Sequence, residues 1–167
     1  EYSQYPNKIS RSDATAFRVT FKFISFLTPF VGGKELGSAP ALIRETLLFP
    51  YIEGFFFCLA LRNKPGYTQT NQAFGNLPQS TEHILHPEKY VAGTDSPIDF
   101  ELPAAQEILG AEWTLNENNV LGEFGCQILF SEFSILDGKE ISAGWGGDRY
   151  WVFIRPNQEL ALVWLTI

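Results

Sequence analysis

Hydrophobic residues are distributed unevenly along the chain, and their spacing predicts helices in the middle and strands at the end. From Ala41 apolar residues recur at helical spacing, and after Pro50, which should kink or restart the helix, an almost wholly apolar segment continues to Leu61. Residues 150–154 and 160–167 are instead rich in aromatic and β-branched side chains, which predicts a β-hairpin. The expected fold class is therefore α+β, with a helix-rich middle and a C-terminal β-hairpin or small antiparallel sheet.

Shorter elements are predicted between these two regions. Residues 67–74, 104–110 and 120–136 carry helical patterns, and residues 98–102 look extended. Ser80 or Thr81 can cap a further helix, but Pro87 limits that helix to little more than one turn. We therefore expect a series of short helices joined by turns.

The N-terminal region differs from the rest of the chain. Residues 16–27 alternate apolar and polar positions as a half-buried strand does, and an amphipathic helix is the alternative. Glycines at 32, 33 and 37 and a proline at 40 then mark a loop. We expect residues 1–39 to form an N-terminal arm or strand and residues 40–167 to form a single α+β domain, since that length can bury a sizeable core.

Charge and cysteine content exclude several classes of function. The net charge is -7 and the 12 lysines and arginines are scattered, so the chain lacks a basic stripe and nucleic acid is not an expected partner. The longest apolar stretch, residues 47–61, is too short and too interrupted to span a bilayer, so no transmembrane segment is predicted. Cys58 and Cys126 suit buried thiols, with a single disulfide as the alternative.

The segment Ser80–Tyr90 concentrates side chains that bond protons or metals. It holds both histidines of the chain, His83 and His86, which on one helical turn can face the same side and chelate zinc. A zinc site needs further ligands, and the fold would have to place Glu123, Asp148 or Glu88 beside the histidines to supply a third one. We therefore favour no metal site here. The segment contributes three candidates for a binding site or cleft: Glu82, His86 and Tyr90.

A second notable segment, Gly144–Tyr150, precedes the predicted hairpin. Its glycines permit unusual backbone angles, Trp145 offers a large flat face, and Asp148 with Arg149 offers charges that can orient a partner. These three residues are candidates for a binding loop. The preferred interpretation is a structural turn in which Trp145 caps the core and Asp148 bonds backbone amides. The phosphate-binding pattern of glycines followed by Lys-Ser/Thr is missing.

Several segments together resemble one kind of protein. They are similar to the C-terminal region of poorly characterised bacterial zinc-metallopeptidase-like (gluzincin-like) proteins, over about residues 40–167. The matching segments are Leu48–Tyr51 with Gly54, Ser80–Glu82 with Ile84–Tyr90, Leu121–Glu123, Gly144–Tyr150 and Val163–Trp164.

The resemblance implies an upstream His-Glu-x-x-His helix, whose histidines hold zinc and whose glutamate acts as the base. This chain has no such motif. The resemblance also implies glutamine where this chain has His83, while it keeps His86. The part of such a protein that carries the catalytic zinc is therefore missing from the sequence.

Three functions are consistent with the sequence. The first is the non-catalytic part of a metallopeptidase-like protein with a cleft-lining or scaffold role, for which zinc would be bound only in a longer protein. The alternative is a stand-alone protein- or peptide-binding module whose exposed aromatics include Trp145, Trp151 and those of residues 17–30. The third is a small zinc-dependent hydrolase that uses His83 and His86. The chain holds no complete catalytic set, so whether it is an enzyme stays open, as do its compartment and oligomeric state.

Overall fold

A computed structural model describes residues 37–62, 67–101 and 104–167. The chain divides into two compact units, Glu1–Leu59 and Ala60–Ile167. The strand or helix predicted over residues 16–27 lies outside the described residues, as does nearly all of the predicted arm. The described residues combine helices with a three-stranded antiparallel sheet at the C-terminus, so the predicted α+β class is confirmed.

Among the described residues, α1 (Ala41–Arg62) is a helix of 22 residues, and the boundary between the two units falls within it. It runs through Pro50 without restarting, because the loss of one N–H removes a single hydrogen bond from a helix of 22 residues. Of the two effects predicted for Pro50, the restart of the helix is therefore wrong, and the kink stays a prediction. None of the helices in the described part of the chain combines the length and hydrophobicity that crossing a bilayer requires.

Six shorter helices follow, and local signals explain several of their ends. Ser80 caps the second of them, as the sequence predicted, accepting a hydrogen bond from the His83 N–H at 3.3 Å. That helix ends before Pro87, also as predicted, but Pro87 begins a further helix where a loop was expected. Gly93 ends that helix in the left-handed conformation, with φ of 67°. The helices are α2 (Thr68–Gly75), α3 (Thr81–Leu85), α4 (Pro87–Ala92), α5 (Ala105–Leu109), α6 (Gly122–Glu132) and α7 (Gly138–Ser142).

The sheet contains β1 (Thr114–Asn119), β2 (Asp148–Ile154) and β3 (Leu160–Thr166), in that spatial order. Strands β2 and β3 form the predicted hairpin. Strand β1 was not predicted, because its six residues are all exposed and mostly polar and show no alternation. It owes its extended form to antiparallel pairing with β2.

One face of this sheet covers the core of the Ala60–Ile167 unit. Trp151 and Phe153, which lie two residues apart on β2, are 2% and 0% exposed. Their burial follows from the period of two along a strand, which puts both rings on the same face. The partly buried residues packed against them are Phe100, Leu109, Trp113, Ala161, Val163 and Leu165.

We predict that Phe153→Ala lowers the free energy of unfolding by about 3–5 kcal/mol, because it leaves a cavity in this core. Phe74→Ala is the matched control, since the Phe74 side chain on α2 is 82% exposed and its loss should change stability by no more than about 0.5 kcal/mol. Chemical denaturation of the two variants measures the difference. Equal effects would contradict the assignment of the core to this face.

Candidate functional site

The carboxylate of Asp148, at the start of β2, accepts four hydrogen bonds. Its Oδ1 accepts from the Gly122 N–H at 2.8 Å and from the indole N–H of Trp145 at 2.9 Å. Its Oδ2 accepts from the Leu121 N–H and the indole N–H of Trp164, both at 2.9 Å. Asp148 is 1% exposed, so all of its capacity to accept hydrogen bonds is used inside the protein.

Two of these bonds cap α6 from a distance. The residue before this helix, Leu121, has no polar side chain with which to satisfy the first N–H groups. Asp148 accepts from the N–H groups of Leu121 and Gly122, and Thr81 Oγ1 accepts from the Phe124 N–H at 3.2 Å. A negative charge at this helix end is also favourable to the helix dipole. Residues far apart in the sequence therefore supply the cap.

The loop before β2 is held on two sides by backbone hydrogen bonds. Gly146 accepts from the Ile98 N–H and donates to the Ile167 carbonyl, both at 2.8 Å, while Ile167 donates to the Gly147 carbonyl at 3.0 Å. Gly147 has φ of 154°, and a Cβ there would lie 2.2 Å from the Ile98 carbonyl oxygen. Glycine is therefore required at 147 for this close approach.

The two histidines have different environments. His83 is 5% exposed; its Nδ1 accepts from the Gln79 N–H at 3.3 Å, and its Nε2 lies 3.0 Å from the Thr94 carbonyl oxygen. Because a carbonyl only accepts, this arrangement selects the neutral tautomer with its proton on Nε2. Tyr90 packs edge-on against the same ring, and its hydroxyl donates to the Asn76 carbonyl at 2.6 Å.

His86 instead connects α3 to α6. Its Nε2 lies 3.0 Å from Glu123 Oε1, which also accepts from the Gln127 side-chain amide at 2.9 Å. Glu123 is 1% exposed, and its Oε2 is buried without a hydrogen bond from any described residue. Of the three carboxylates considered as a further ligand, Glu123 contacts His86 Nε2 and Glu88 Oε1 lies 3.6 Å from His86 Nδ1, whereas Asp148 bonds its own four donors.

A second buried carboxylate lies in the same segment. Glu82 is 1% exposed, and Lys89 Nζ lies 2.5 Å from its Oε1 and 2.9 Å from Asp95 Oδ2. The hydrogen bond to Glu82 is the main cause that raises the pKa of Lys89, and burial opposes it. Glu82 Oε2, like that of Glu123, has no hydrogen bond within the described part of the chain.

A cleft of about 400 Å³ lies beside the Asp148 network. Its described lining residues come from the turn before α3, the segment Pro97–Asp99, the start of α6 and the loop that leads into β2. Polar and apolar side chains both line the cleft, and the apolar ones lie beside the ion pair of Asp99 and Arg149. The lining residues are Gln79, Ser80, Thr81, Pro97, Ile98, Asp99, Val120, Leu121, Gly122, Trp145, Asp148 and Arg149.

The structure brings together only part of the predicted set. Three of the six candidates, Trp145, Asp148 and Arg149, line this cleft. The other three, Glu82, His86 and Tyr90, have the contacts described above and are not among the lining residues. Across residues 37–62, 67–101 and 104–167, no three histidine, cysteine, aspartate or glutamate side chains form a group that could hold a metal ion.

The two tryptophans expected to be exposed are buried. Trp145 is 5% exposed and Trp151 is 2% exposed, because the first donates to Asp148 and the second packs in the core. The preferred interpretation of the Gly144–Tyr150 turn is thereby confirmed: Trp145 is buried and Asp148 bonds backbone amides. Sequence reasoning missed Trp164 and Asp99. The hairpin register could have placed Trp164 near Asp148, but no sequence signal pairs Asp99 with Arg149.

The comparisons with known proteins concern only the C-terminal part. A model of a domain of unknown function, DUF8575, matches residues 112–167. This segment contains the three strands of the described sheet together with α6 and α7, and it includes Asp148 and all four of its hydrogen-bond donors. No curated protein and no solved structure matches the chain.

We predict that Asp148→Asn lowers the free energy of unfolding by roughly 3 kcal/mol or more, since hydrogen bonds to a buried charge contribute strongly and the new amide nitrogen faces donors. The matched control is Asp137→Asn, because Asp137 is exposed and its φ of 59° suits asparagine. Its effect should be about 0.5 kcal/mol or less. Equal destabilisation by the two substitutions, measured by chemical denaturation, would refute the role of the Asp148 network.

The two cysteines, which are not joined by a disulfide, should differ in reactivity. Burial, reinforced by Asp148 and Glu123, raises the pKa of the Cys126 thiol to about 12, whereas Cys58 is exposed. Since the thiolate is the reactive form, iodoacetamide at pH 8 should modify Cys58 and leave Cys126 intact until the protein is denatured. Peptide mass spectrometry measures both sites, and equal labelling rates in the native protein would contradict this prediction.

Proposed function

We propose that this chain is the non-catalytic part of a metallopeptidase-like protein, of the bacterial kind that its sequence resembles, and that it serves there as a scaffold lining a cleft. The observation that carries the proposal is that the Asp148 carboxylate accepts hydrogen bonds from the protein alone. This carboxylate borders the cleft, yet all four of its hydrogen bonds go to the protein itself. Its role is to hold the cleft wall in place.

The histidines support the same assignment. A general base or a metal ligand needs a lone pair that the protein leaves available. Both ring nitrogens of His83 have protein partners, and Nε2 of His86 contacts Glu123. These side chains join α3 and α4 to their surroundings, which is the work of a scaffold.

The cleft itself favours a second candidate, a stand-alone peptide-binding module. Its volume of about 400 Å³ falls in the range typical of ligand sites, which is roughly 300–1,000 Å³. The burial of Trp145 and Trp151 argues against the exposed aromatic surface first expected for such a module. Binding would instead depend on the cleft.

The third candidate, a small zinc-dependent hydrolase, is least supported. His86 and Glu123 could supply two ligands, but His83 has both nitrogens committed. A catalytic zinc site uses three protein ligands and an open position. We therefore rank it below the other two.

The decisive experiment is to read the coding sequence upstream of Glu1 and to measure zinc in the full product and in residues 1–167. We expect a His-Glu-x-x-His motif upstream, zinc bound by the full product, and none retained by the 167-residue chain. The physical reason is that the two histidines and the base of the motif supply the ligands and the proton acceptor.

Each other outcome favours a different candidate. An upstream sequence without the motif would refute the proposed parent protein and leave the peptide-binding module. Zinc that stays with residues 1–167 and is lost in both His83→Ala and His86→Ala would establish the third candidate. Thermal unfolding of the variants shows whether a loss of zinc reflects a loss of folding.

A further inference from the structure

Arg149 is the one cation among the described residues that line the cleft. Its Nε donates to Asp99 Oδ1 over 2.6 Å, and its Nη2 lies 2.6 Å from the same oxygen. A guanidinium fork matches a carboxylate best when two nitrogens bond two different oxygens. The pair with Asp99 lacks that geometry, since Nε and Nη2 of Arg149 both contact the single oxygen Oδ1.

Asp99 is also a replaceable partner. Its side chain is 71% exposed, its Oδ1 is shared with the N–H of Phe100, and its Oδ2 accepts no hydrogen bond from any described residue. Exposed ion pairs of this kind are weak because water and salt screen them. Another carboxylate could therefore displace Asp99 from Arg149.

The backbone of Arg149 is fixed by its neighbours. Arg149 pairs with Leu165 across the hairpin, and the residue before it, Asp148, is held by four hydrogen bonds. Asp148 already accepts from the first N–H groups of α6, so these groups do not compete with Arg149 for the carboxylate of a ligand. Arg149 is thus a positioned cation at the edge of a preformed cleft, and positioning reduces the entropy that binding costs.

The apolar residues that line the cleft indicate what kind of group a ligand would carry next to its carboxylate. Pro97, Ile98, Val120, Leu121 and Trp145 give the cleft an apolar part beside this cation. A peptide that carries a carboxylate next to an apolar side chain matches both parts. We propose that the cleft binds such a peptide, with Arg149 bonding its carboxylate in place of Asp99. This inference extends the proposed cleft-lining role by naming the class of ligand.

The test uses three short peptides titrated calorimetrically into the 167-residue chain. They are N-acetyl-Gly-Gly-Leu with a free carboxyl terminus, the same peptide as its C-terminal amide, and N-acetyl-Gly-Asp-Leu amide. We expect the free acid to bind and the neutral amide to bind about tenfold more weakly or not at all, because it cannot form the charged pair. The aspartyl amide carries its carboxylate next to the same leucine, so it should also bind more tightly than the neutral amide, and binding no tighter than the neutral amide would count against the inference.

Substitutions at the two members of the ion pair should change the affinity for the peptide in opposite directions. Arg149→Gln should weaken binding of the free acid about tenfold, whereas Asp99→Asn should strengthen it roughly two- to fivefold by removing the competing carboxylate. Arg155→Gln and Asp137→Asn are matched controls, because neither residue lines the cleft. They should leave the affinity unchanged.

If the unsubstituted chain binds the free acid and the neutral amide equally, or binds none of the peptides, the inference is overturned. Tighter binding in Asp137→Asn equal to that in Asp99→Asn would also overturn it, since the effect would then come from net charge alone. Either failure leaves the proposed function standing, because the upstream sequence and the zinc measurement test that proposal separately.

Discussion

The fold of the Ala60–Ile167 unit depends on one buried carboxylate. A charge removed from water is costly unless hydrogen bonds compensate it, and Asp148 meets that condition with two backbone amides and two indoles. The four donors belong to the start of α6, the loop before β2, and β3. These three segments must therefore assemble together, since each one alone would leave the carboxylate or the helix end unsatisfied.

The Ser80–Tyr90 segment is held by a different kind of contact. Its buried acid Glu82 bonds Lys89, and the buried acid Glu123 bonds His86, so side-chain hydrogen bonds connect α3 and α4 to each other and to α6. Both carboxylates keep one oxygen without a hydrogen bond from a described residue. This segment therefore holds buried polar groups that are less completely satisfied than Asp148, although all three side chains are equally hidden from solvent.

Sequence reasoning succeeded where the determinant is local. The Ser80 cap, the end of that short helix before Pro87 and the hairpin each depend on residues within a few positions of one another. It failed where the determinant is distant: β1 is polar and exposed, and only its pairing with β2 makes it a strand. The start of α6 is similar, because its cap comes from Asp148 and Thr81 rather than from the residue before the helix.

The same distinction explains the candidate site. Asp148 and Arg149 are neighbours at the start of β2, and successive residues of a strand point to opposite faces. One therefore reaches the buried donors, while the other reaches the exposed Asp99. The sequence motif predicted two charges in one loop, but it could not assign them separate tasks, because neither Trp164 nor Asp99 is near them in the chain. All four hydrogen bonds of Asp148 are made within the protein. Arg149 bonds only the exposed side chains of Asp99 and Asn118 among the described residues, so it is the charged group at the cleft for which a ligand is proposed.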